Sequence, residues 1–97
     1  MNRNYELAYI ADPELDEEAL SSLEETVKSW IEAAEGRTTN VERWGKRKLA
    51  YPIRKRSEGY YFILETEMPP QAGRAIERDL GLSEQVLRYL ITSRGQK

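Results

Sequence analysis

The sequence predicts an α+β fold: a ferredoxin-like βαββαβ sandwich, in which a four-stranded antiparallel sheet carries two helices on one face. Three observations carry that prediction. Two apolar series recur at the helical period, four segments have the alternation or composition of strands, and Gly and Pro punctuate them into the order β-α-β-β-α-β. At 97 residues the chain suffices for one core, so a single domain over 1–97 is expected.

The first segment, "NYELAYIA", sets Tyr5, Leu7 and Tyr9 on one face and Glu6, Ala8 and Ile10 on the other. Asp16 then stands as a helix N-cap, with Glu17 and Glu18 in the first turn, where carboxylates favour the helix dipole. Leu20, Leu23, Val27, Trp30, Ile31 and Ala34 follow the 3.6-residue period, and Gly36 is the expected C′ residue. Trp30 is read as core. "RTTNVERWGKRKLAYPI" is a long strand with Gly45 as a bulge. Pro52 cannot donate to a ladder, which assigns that strand to a sheet edge.

"RKRSEG" is the expected turn, leading into "YYFILETEM". There Phe62, Leu64, Thr66 and Met68 share one face while Tyr61 and Ile63 take the other. Pro69 and Pro70 are expected to start a short helix with Ala72, Ala75, Ile76 and Leu80 as its stripe and Gly81 at its end. "EQVLRYLITS" closes the order as a strand with Leu87, Tyr89 and Ile91 inward and Arg88 outward, and "RGQK" is a frayed tail. The first and third strands should be central, the second and fourth edges.

Composition removes whole classes of chemistry. There is no cysteine and no histidine, hence no disulfide, thiolate or imidazole metal site and no histidine-based triad. The six glycines stand singly, so no phosphate-cradling loop is formed. Neither cofactor nor metal is expected, and the chain reads as a binder, not an enzyme. The longest uncharged apolar run, "YYFIL", is too short to span a bilayer, and the N-terminus lacks a signal-peptide core. A cytoplasmic protein with no membrane partner is expected.

Charge is unevenly distributed. Net charge is −2, yet Glu42 to Arg56 holds seven cations against one anion, leaving eight cations against sixteen anions elsewhere. That polarity points to an anionic partner on one side of the molecule. Edge lysines that discourage strand pairing are the bland explanation. Three features oppose it: cations flank "LAYPI" on both sides, Trp44, Tyr51, Tyr60 and Tyr61 are interleaved, and the remainder is acidic. RNA needs cations for phosphates and planar groups for bases, and arginine adds the bidentate fork. Lys46, Arg47, Lys48, Arg54, Lys55 and Arg56 are therefore the candidate RNA contacts. Tyr9, Phe62 and Tyr89 are assigned to the core.

"YE" at 5 and 6, "WGKRKLAYPI" and "GYYFILETEMP" together resemble the bacterial ribosomal small-subunit protein six family, in the same element order over nearly the whole chain. The most specific stretch is Gly45 to Ile53. The resemblance implies a structural ribosomal protein that binds central-domain small-subunit rRNA together with small-subunit protein eighteen. It maps the family's basic segment onto Lys46, Arg47 and Lys48, and its strand-four arginine onto Arg88. Trp44, Tyr61 and Ile63, on the edge strand from Thr38 to Ile53 and the sheet face beside it, are the expected protein-partner residues. The competing reading is a ferredoxin-like small-molecule regulatory domain without RNA binding. An acylphosphatase-like enzyme is disfavoured because Asn2, Asn4 and Asn40 sit beside no glycine-rich phosphate loop.

Overall fold

Asp16 begins the first helix as its charge and position require: its carboxylate accepts a hydrogen bond from the Ala19 amide at 2.8 Å. The computed structural model describes residues 2–94. Its elements are β1 (Arg3–Ala11), α1 (Glu17–Ala33), β2 (Arg37–Ile53), β3 (Arg56–Met68), α2 (Ala72–Leu82) and β4 (Val86–Ser93). The sheet order is β2-β3-β1-β4 with every neighbouring pair antiparallel, so β1 and β3 are central as expected.

Alternation along the strands sorts side chains onto two faces. Under the helices, Leu7, Tyr9, Phe62 and Leu64 meet Leu20, Leu23, Val27 and Ile31 of α1 and Ile76 and Leu80 of α2 in one core. Burying each such aliphatic side chain contributes roughly 1.5–3 kcal/mol. Tyr9 and Phe62, cross-strand partners, stack with ring centroids 4.9 Å apart. The other face of the sheet carries no helix.

Several expectations need correction. The left-handed residue after α1 is Glu35, φ 71°, not Gly36. The Gly36 amide donates to the Ile31 carbonyl and the Glu35 amide to Glu32, which makes a Schellman closure with glutamate in the glycine position. Gly36 is needed for space instead: a Cβ there would stand 2.6 Å from the Met68 Cβ and 2.9 Å from the Glu67 carbonyl.

The turn is narrower than "RKRSEG". Ile53 pairs with Arg56, leaving only Arg54 and Lys55 in the connection, and β3 starts four residues earlier than expected. Pro69 and Pro70 precede α2, whose N-cap is Gln71, and Gly81 lies inside that helix, which ends at Leu82 and is capped by Ser83.

On β4 the inward series is Val86, Tyr89 and Ile91. A register shift between Ile10 and Ala11 pairs Ala11 with Val86, and this turns Leu87 toward Gly59 and Ile10 on the open face. Tyr89 faces the helices but is exposed at the sheet margin, and Trp30 is only partly buried at the rim of the core. Of the "RGQK" tail, all but Arg94 lies outside the described residues.

Candidate nucleic-acid and protein interface

A single extra residue in β2 organises the site. Arg43 pairs with Phe62 and Gly45 with Tyr61, so Trp44 is inserted between them, and Gly45 takes φ 82° to absorb the bulge. Arg43 points toward α1. Its Nη1 donates to Glu17 at 2.7 Å, its Nε to Glu24 at 3.0 Å and its Nη2 to the Ser21 hydroxyl at 3.3 Å, while the guanidinium lies 5.2 Å from the Phe62 ring centroid.

Hydrogen bonding to Arg43 holds the Glu17 carboxyl below the usual carboxylate range. Burial by itself would raise Glu24, yet hydrogen bonds and charge from Lys28 and Arg43 leave it depressed. The same two carboxylates hold Arg43 above its ordinary value. Beneath them the Tyr9 phenol is pushed far up, first by burial and then by the Glu24 charge, and its hydroxyl has no hydrogen-bond partner among the described residues.

Trp44 turns the opposite way, onto the open face. Its indole stacks on Tyr61 at 6.5 Å with 12° between the planes, and its Nε1 donates to Glu42 at 3.0 Å. Two cross-strand rows then cover this face: Tyr61, Ile10 and Arg88, and beside them Ile63, Ala8 and Leu90. They line a shallow apolar depression of about 120 Å³. Trp44 is 45% and Leu90 61% exposed, so the expected partner residues Trp44, Tyr61 and Ile63 do share one accessible apolar surface. Ile10 and Leu90 complete it; the alternation of β1 already offered Ile10, whereas Leu90 needed the β4 register.

The β2–β3 ladder breaks after Lys48↔Glu58, and four residues, Leu49 to Pro52, span the place of Ser57. This segment leans over the open face, where Tyr51 meets Arg88, whose guanidinium carbon is 5.4 Å from the ring centroid. Arg88 is thus joined to the hairpin by contact although it lies 37 residues from Tyr51 in the chain.

The seven expected RNA contacts do not form one patch. Lys46 lies over Tyr60 at 5.3 Å, and Arg47 over Trp44 at 5.6 Å while donating to the Trp44 carbonyl at 3.1 Å. Lys48 is exposed, and Arg54 and Lys55 form the tip with φ of 51° and 67°. Arg56 is drawn back against Asp12 at 3.3 Å and Glu14 at 3.5 Å, which makes it the most internally engaged of the set. Among the described residues no group of His, Cys, Asp and Glu could hold a metal ion, and no helix is long and apolar enough to cross a membrane.

An apolar sheet face beside a cationic two-stranded arm, on a ferredoxin-like domain, has the chemistry of a macromolecular interface and not of a small-molecule site. The family model described as Ribosomal protein S6 matches residues 4–93. The chain is 46% identical over 89 residues to the small ribosomal subunit protein bS6 of Caldanaerobacter subterraneus subsp. tengcongensis, covering 92% of this chain and 94% of the relative. It is 42% identical over 91 residues to the protein of the same name from Clostridium novyi, covering 94% and 96%. The crystal structure of 30S ribosomal protein S6 from Thermotoga maritima superposes with a TM-score of 0.91 at 33% identity, over 97% of this chain and 89% of that one. The chain belongs to the ribosomal protein S6 family of the small ribosomal subunit. It is a ribosomal protein and not an enzyme, and the regulatory-domain reading falls away.

Proposed function

We propose that this protein binds the central domain of small-subunit rRNA on the bacterial cytoplasmic ribosome, in company with small-subunit protein eighteen. The observation that carries the reading is the β2–β3 arm: Lys46, Arg47, Lys48, Arg54 and Lys55 make no ion pair with a carboxylate among the described residues. These charges remain available for phosphates, whose contacts position a protein on RNA. Arg88 adds a cation at the base of the arm. The apolar rows of Tyr61 and Ile63, extended by Trp44, are the surface for the second protein, since a contiguous exposed apolar patch marks an interface more than scattered residues do.

Alone, the chain binds RNA weakly. Glu17 and Glu24 are paired with Arg43, and Glu24 with Lys28 as well, but Glu18, Glu25 and Glu32 on α1 and Glu35 just beyond it stay exposed and repel a polyanion. Phosphate contacts lose strength steeply with salt, and a partner makes the arm's attachment effectively intramolecular.

The test is a titration of central-domain RNA with and without protein eighteen. Replacing Lys46, Arg47 and Lys48 together by Gln should weaken assembly and flatten its salt dependence with folding intact; unchanged affinity and slope would remove the RNA site from the arm. Trp44→Ala and Ile63→Asp should each weaken heterodimer formation by about 1–3 kcal/mol. Retention of full heterodimer affinity in both would remove the partner from the open face.

A further inference from the structure

Lys46, Arg47 and Lys48 are consecutive residues of an extended strand, so their side chains alternate between its two sides. Lys46 pairs with Tyr60 and Lys48 with Glu58, on the side that carries the helices. Arg47 pairs with Gly59 on the open side, where Arg88 also lies. The sheet narrows at the same place: β1 pairs with β3 only as far as Ala11↔Tyr60, and beyond that point the arm is two strands wide. Acids do not cancel either side. Glu58 accompanies the two lysines without pairing within 4 Å, Asp12 and Glu14 are turned to Arg56, and Glu42 accepts from the Trp44 indole.

We infer that the arm enters a cleft between two phosphate backbones, with Lys46 and Lys48 meeting one and Arg47 the other. The inference rests on the RNA-binding reading and specifies its geometry. Docking flat on one RNA surface would use one set of cations and leave the other in solvent. An undistorted A-form helix offers no such cleft, because its major groove is too narrow for side chains to enter and its minor groove is shallow. The RNA feature recognised is therefore an opening flanked by two backbone segments, either two strands of a distorted helix or two helices lying side by side.

The test uses the full chain with protein eighteen and central-domain RNA, reading the slope of log affinity against log salt. Lys46→Gln/Lys48→Gln should lower the slope by about 2 and Arg47→Gln by about 1, with Arg47→Lys keeping it. A slope that falls for one face only would show flat docking and overturn the inference while leaving RNA binding by the arm in place. A slope that falls for neither overturns the inference together with the reading on which it rests.

Discussion

The Arg43 guanidinium meets the Glu24 carboxylate at 2.9 Å, and this contact ties the bulged strand β2 to helix α1. Glu24 is buried to 8% exposure, so Arg43 satisfies a charge that the fold has removed from water. Arg43 thus lies on the helix side of the bulge, and Trp44, the next residue, on the opposite face.

Arg43→Met keeps much of the aliphatic stem over Phe62 and removes the charge. It should destabilise the domain by about 1–3 kcal/mol, the cost of leaving a buried acceptor less well satisfied. Urea unfolding measures this. In a Trp30→Phe background the Trp44 fluorescence spectrum should shift as well, because the bulge loses its anchor; an unchanged spectrum in the folded variant would show that Gly45 alone holds the bulge.

Glu17 and Glu24 both have depressed folded-state values, so as pH falls the unfolded chain takes up protons first and stability declines. The contribution is complete above the unfolded glutamate value of about 4.3 and is lost as pH drops through the lower folded values. Urea midpoints between neutral and acid pH should trace this loss. The double variant Glu17→Gln/Glu24→Gln should show a flatter acid limb, and a limb parallel to the parent's would place the acid sensitivity in other carboxylates.

Gly36 and Gly45 should fail for different reasons when replaced. Gly36→Ala drives a methyl into the Met68 Cβ and the Glu67 carbonyl, neither of them a flexible side-chain end, and should cost about 1–3 kcal/mol. Gly45→Ala meets nothing within 4 Å but keeps φ 82°, so its cost of about 1–2 kcal/mol is torsional. Gly45→Asn should recover part of that loss, whereas Gly36→Asn should be worse than alanine, as equilibrium unfolding would show.

The arm's tip trades stability for charge. Two-residue hairpin connections with positive φ at both positions favour Asn-Gly, yet this chain places Arg54 and Lys55 there. Arg54→Asn/Lys55→Gly should stabilise the domain by roughly 1 kcal/mol and lower the salt slope of RNA binding by about 2. A gain in stability with an unaltered slope would take the tip out of the RNA contact.

The architecture was legible because α1 and β1 carry unambiguous periods and Asp16 marks a helix start. Local connections were less so. No glycine or asparagine flags the turn at Arg54–Lys55, and the Schellman closure uses Glu35 while the adjacent Gly36 serves a steric need that only the contact with Met68 reveals. Leu87 departs from the alternation of β4 because a one-residue irregularity opposite Ile10 and Ala11 reverses the side chains at the start of that strand. The candidate cations were all visible in the sequence, but their division between two faces was not, since the side each takes depends on the irregularities of β2 at Thr39, at Trp44 and over Leu49 to Pro52. In the sequence Arg43 is one more charge on the basic segment, and only the folded chain turns it inward to Glu17 and Glu24.

Phe62 and Leu64 point under the helices, while Tyr61 and Ile63, which alternate with them along β3, point away. Instructions for folding and instructions for assembly are thus interleaved on one strand at a period of two, with little physical crosstalk. Substitutions at Phe62 and Leu64 put the domain itself at risk, whereas those at Tyr61 and Ile63 change the open face, which the proposed reading gives to the partner. If the open face meets a partner as proposed, its contacts can be retuned there at little cost to the core.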